Sequence, residues 1–176
     1  YYTENTGDFD LSFRRSNLLT LIDSVSPGVL SSRADIRMQQ RITPIINGTN
    51  MFTLVYPSSI RVPSGLDEQV ITSSFFRVKN ISGVEKLVKI KNYGTKLQIY
   101  ETTTNTIIVD NIGSINYSTG RVNIVSFKPS SLLNGTEIKI SVVPANQSAV
   151  SPTRNNIIQY DAENSLITPV VVSATN

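Results

Sequence analysis

From residue 68 to residue 143 the chain is a succession of short segments, each bounded by residue types that turn a backbone sharply. Segments rich in β-branched and alternating apolar residues fall at 70–79, 85–92, 96–101, 106–110, 113–116, 121–126 and 137–143. Between them stand Ser82-Gly83, Tyr93-Gly94, the Thr and Asn run at 102–105, Ser118-Thr119-Gly120 and Asn134-Gly135. Such residues supply tight or left-handed turns at low steric cost, so each segment reads as a strand ending in a reversal. Regular short strands with this punctuation predict a mainly β fold, a β-rich α+β class with antiparallel sandwich-like or barrel-like sheets.

One helix is expected. Phe13, Leu18, Leu21, Ile22 and Val25 recur at spacings near three and four, with Asp10 or Ser12 placed to cap the start and Pro27-Gly28 to end it. That register puts Arg14 and Arg15 in the first turn, where the helix dipole disfavours positive charge. Solvation, or else an acidic partner, would relieve them.

Residues 34–42 then alternate with period two. Ile36, Met38 and Ile42 fall on one side, and Arg37, Gln39 and Arg41 on the other. Pro44 and Asn47-Gly48 turn the chain, and 51–56 is expected to return as the second strand of a hairpin. Pro57 and Pro63 bracket a loop, which divides the chain into a helix-plus-hairpin sub-domain at 1–60 and an antiparallel β sub-domain at 61–176. The run Val170-Val171-Val172 reads as a further pairing strand. Phe75 and Phe76 are adjacent, so in a strand one faces the core and the other the reverse face, which then needs cover of its own.

Composition narrows the chemistry. The sequence has no cysteine and no histidine, which removes disulfides, thiolate nucleophiles, Cys-containing zinc sites and every triad built on imidazole. Paired carboxylates are the remaining route, and the acids offer none. Glu4, Asp8 and Asp10 lack the ordered oxygen spacing of a calcium loop, while Asp67-Glu68 and Asp161 with Glu163 sit in connections. No glycine pattern resembles a phosphate-binding loop. The expectation is therefore a protein that is not an enzyme and uses no cofactor or metal.

Charged residues make up only 16% of the chain against about 25% in an average soluble domain, and Ser, Thr and Asn take their place. Hydroxyls and amides are far cheaper to desolvate than ions, so this surface suits burial against other subunits. The densest basic run is Lys86, Lys89, Lys91 and Lys96. A nucleic-acid groove needs a more concentrated positive field with aromatic stacking partners, so the run reads as a solvated strand face. No apolar run is long enough to span a bilayer as a helix. Neither nucleic acid nor membrane is expected as a partner.

Several blocks resemble one family. Phe13-Arg14-Arg15-Ser16-Asn17-Leu18-Leu19-Thr20-Leu21-Ile22-Asp23, with Ser31-Ser32-Arg33-Ala34-Asp35-Ile36 and Gln40-Arg41-Ile42-Thr43-Pro44, is similar to the C-terminal region of the baseplate wedge proteins of T-even-type contractile-tailed bacteriophages. So are Ile112-Gly113-Ser114-Ile115-Asn116-Tyr117-Ser118-Thr119-Gly120-Arg121-Val122, Val143-Pro144-Ala145-Asn146-Gln147 and Pro152-Thr153-Arg154-Asn155-Asn156-Ile157-Ile158. The family protein is longer, and the chain begins Tyr1-Tyr2, so it is expected to be a C-terminal fragment. The resemblance implies a non-catalytic virion protein of the tail baseplate, assembled in the host cytoplasm. It would associate with copies of itself, as a homodimer within a ring, and with other wedge proteins. Phe9, Arg14, Arg15, Arg37 and Arg41 are the interface positions expected from this reading. The competing expectation is a carbohydrate-binding, adhesin-type β module of a tail fibre, against which the absence of tryptophan and the few aromatics count.

Overall fold

The computed structural model describes residues 13–26, 28–29 and 32–150. Its elements in chain order are β1 (Phe13–Arg14), α1 (Arg15–Asp23), β2 (Met38–Ile42), β3 (Asn50–Val55), β4 (Ile71–Ser73), β5 (Phe76–Lys79) and β6 (Glu85–Tyr93). They continue with β7 (Lys96–Glu101), β8 (Ile107–Asn116), β9 (Arg121–Phe127), β10 (Ser131–Leu132), β11 (Ile138–Val142) and β12 (Ala149–Val150). The fold is mainly β, and its antiparallel sheet is nearly closed into a barrel-like shape.

Around that sheet the strands run β2-β11-β4-β6-β7-β8-β9-β3, with β5 and β10 paired beside β6. Period-two alternation places one face inside. Val88, Ile90, Leu97, Ile99, Val122, Ile124, Ile138, Ile140 and Val142 are all buried there. Phe76 and Phe127 meet edge to face within this core, with ring centroids 5.2 Å apart. Gln40 Nε2 donates to the carbonyl of Val55 at 2.7 Å, so β2 and β3, the two ends of the strand order, are joined by a side chain rather than by a ladder.

Two buried asparagines are fully engaged in the sheet. Asn92, 1% exposed, accepts the backbone N–H groups of Val70 and Ile71 at 2.8 and 2.9 Å and donates to the carbonyl of Glu68. It thereby ties the entry of β4 to β6, where an apolar side chain would leave two buried donors without partners. Asn50 does the same for the β2–β3 connection, bonding Ile45, Gly48 and Phe127.

Five expectations are corrected. Strands β2 and β3 form no hairpin, for β2 pairs with β11 and β3 with β9. The Asn47 turn exists, with φ at 59°, but the loop folds back onto Asn50 instead of bringing the strands together. The sheet also runs across the boundary expected at residue 60, because β2 and β3, which precede it, are bonded to β11 and β9, which follow it. The 70–79 strand is broken at Ser74–Phe75 into β4 and β5, while 106–116 is one strand, β8, rather than two.

The fifth concerns the helix. It starts at Arg15; Arg14 is its N-cap without a side-chain capping bond, and Phe13 belongs to β1, paired with Val150. Asp10, Ser12 and Pro27, given capping and stopping roles, lie outside the described residues, as does the 170–172 strand. None of the nine helical residues is buried, so the apolar stripe that identified α1 meets no core.

Candidate interaction face

Strands β6 and β7 form a hairpin turned by Gly94, whose φ of 55° suits a residue without Cβ. Their alternation sends Val88, Ile90 and Asn92 inward, and Lys89, Lys91 and Tyr93 outward. Cross-strand register sets Lys89 opposite Tyr100, Lys91 opposite Gln98 and Tyr93 opposite Lys96.

Each outward lysine rests on a ring. The Lys89 ammonium lies 4.1 Å from the centroid of Phe75, Lys91 4.7 Å from Tyr100 and Lys96 5.7 Å from Tyr93. Phe75 and Phe76 do face opposite ways. Phe76 is in the core, and the cover on Phe75 is the lysine, which leaves it 43% exposed. Tyr100 is only 9% exposed although it is on the outer side.

Charge along this face is unevenly balanced. Lys96 binds Asp110 at 2.7 Å, and Gln98 Nε2 donates to the same carboxylate at 2.6 Å; these two contacts hold the Asp110 pKa below the ordinary carboxylate range. Lys86 has the parity of the inward residues and pairs with Glu101 at 3.0 Å. Lys89 and Lys91 form no ion pair among the described residues; Lys91 reaches only the Asn105 amide oxygen, at 3.4 Å. Partial burial, and secondarily the positive field of Arg37, lowers the Lys89 pKa. Arg37 is itself lowered by desolvation, partly offset by Asp35, with Arg61 adding repulsion.

The interface positions named from the sequence are distributed differently from a single patch. Arg41 lies on the outward side of β2 and pairs with Glu137 at 3.4 Å, and Arg37, just before β2, is exposed. Arg14 and Arg15 lie at the start of α1, and Phe9 is outside the described residues. Sequence reasoning placed the lysines on a strand face but gave them no aromatic partners. Phe75 reaches Lys89 only because β5 and β6 pair in the register that sets Phe76 opposite Val88.

Apolar surface is also left open. On β3 and β9, Met51 is 74%, Val55 51% and Val125 44% exposed; on and after α1, Leu21 is 46% and Val25 81% exposed. A cavity of about 340 Å³ is flanked by Lys79 and Lys128 over Val78, Ile99 and Val109, and no carboxylate lines it. Among the described residues no group of three or more Asp or Glu side chains is placed to hold a metal ion, and no helix is long and apolar enough to cross a membrane. No model of a known protein family matches the chain, and no curated protein matches it.

Proposed function

We propose that the chain is a structural assembly domain of a phage tail baseplate wedge, which associates with copies of itself and with neighbouring wedge subunits. The observation that carries this reading is α1. A nine-residue helix with no capping side chain and no buried residue has little intrinsic stability, since helices of this length are marginal in water without packing. Its exposed Leu21 and Ile22, with Val25 just beyond, are the residues a neighbouring surface would cover. The low share of charged side chains and the open Met51, Val55 and Val125 surface support the same reading. The resemblance of the Phe13–Asp23 block and its continuation to the wedge family supplies the particular assembly.

Sedimentation of the full chain over a concentration series tests it. Reversible self-association is expected, and replacing Leu21 and Val25 together by serine should weaken it about tenfold by removing apolar burial. A strict monomer at every concentration, or association indifferent to the double substitution, would count against the reading.

A further inference from the structure

We propose that the outward face of β6 around Lys89 and Lys91 docks an extended acidic segment of a neighbouring protein chain. This deepens the assembly reading and rests on it. The charge argument comes first. Lys89 and Lys91 stand on the same side of one strand, both are half-buried, and neither forms an ion pair among the described residues. Four cations of the sheet and its loops have a carboxylate partner: Lys96 has Asp110, Lys86 Glu101, Arg41 Glu137 and Arg61 Glu68. Around Lys89 and Lys91 that compensation is absent, and a carboxylate-bearing partner would supply it.

Spacing supports an extended partner. Lys89 and Lys91 are two residues apart on one strand and point the same way, so their stems emerge about 6.6 Å apart, the repeat of same-side residues in any β-strand. Alternate acidic side chains of an extended peptide match that repeat. The rings distinguish such a peptide from single-stranded nucleic acid. Binding bases in a sequence-tolerant way requires open aromatic faces, whereas Phe75 and Tyr100 already carry an ammonium group each, and Tyr100 is nearly buried. What the face offers outward is cationic donors, and those fit carboxylates.

The test is a titration of the full chain with a short fluorescent oligoglutamate peptide, alongside oligoglutamine and an oligothymidylate of equal charge, with self-association followed in parallel by sedimentation. Saturable oligoglutamate binding is expected, weakening as salt rises and absent for oligoglutamine. The double substitution Lys89→Gln and Lys91→Gln should weaken it about fivefold or more, the size of two solvent-facing ion pairs lost, while Lys89→Arg retains it. Self-association should be the same in all of these proteins. Tighter binding of oligothymidylate than of oligoglutamate would overturn the proposal, as would undiminished oligoglutamate binding by the Gln variant. Either result with self-association intact sinks this inference alone, and loss of self-association with peptide binding intact sinks the assembly reading instead.

Discussion

Replacing Gly113 by alanine is expected to destabilise the protein by more than about 4 kcal/mol and to leave little folded material, a size reserved for substitutions that the core has no way to absorb. Gly113 sits in β8 opposite Leu97 of β7 and Ile124 of β9, so both of its neighbours are sheet backbone. A Cβ built there would meet the Asn123 carbonyl oxygen at 1.9 Å and the Ile124 Cα at 3.0 Å. Those atoms are held by the ladder and have no flexible end to swing aside, so relief requires β8 and β9 to part. Gly65 is the control, because a Cβ there meets nothing within 4 Å. Alanine at that position should change stability by no more than about 1 kcal/mol in either direction. Urea unfolding followed by circular dichroism reads both, and a Gly113→Ala protein with a near-normal midpoint would contradict the β8–β9 packing.

The second large effect is expected at Phe76, where truncation to alanine should cost about 3–5 kcal/mol. The side chain has no solvent exposure and packs edge to face on Phe127, so its removal leaves a cavity that the barrel wall cannot fill. Substituting the adjacent Phe75 should cost far less, since that ring lies outside beneath the Lys89 ammonium. The pair of measurements separates inward from outward at neighbouring positions. A larger loss at Phe75 than at Phe76 would mean that the chain presents the opposite face to the core.

How far these positions were legible in the sequence follows from what each depends on. The 96–101 strand and the strand starting at Arg121 were readable because local alternation and a preceding glycine define each, and β7 has those bounds. The break between β4 and β5 was not, because neither glycine nor proline marks it. It is fixed by Ser74, whose N–H donates to the Lys139 carbonyl and whose hydroxyl accepts the Lys139 N–H across to β11. The same limit explains the missing hairpin. Turn residues at Asn47-Gly48 say that the chain reverses, yet the choice of β11 and β9 as partners is made by segments far along the chain, such as Arg121 opposite Val55 and Val142 opposite Met38.

The candidate face divides in the same way. The lysines were visible as a run, and period two put Lys89 and Lys91 on one side. Their rings were invisible, because each pairing depends on a cross-strand register. Helix α1 shows the converse: its apolar spacing was visible and real, but spacing alone does not say whether the stripe is covered from within the chain or from outside it.

The most direct check on the assembly reading is hydrogen–deuterium exchange of the α1 amides at low and high protein concentration. Cover by a second molecule predicts that residues 16–23 exchange rapidly when dilute and slow down as concentration rises, while the amides of β6 and β7 stay protected throughout. Exchange in α1 that is equally fast, or equally slow, at both concentrations would contradict it.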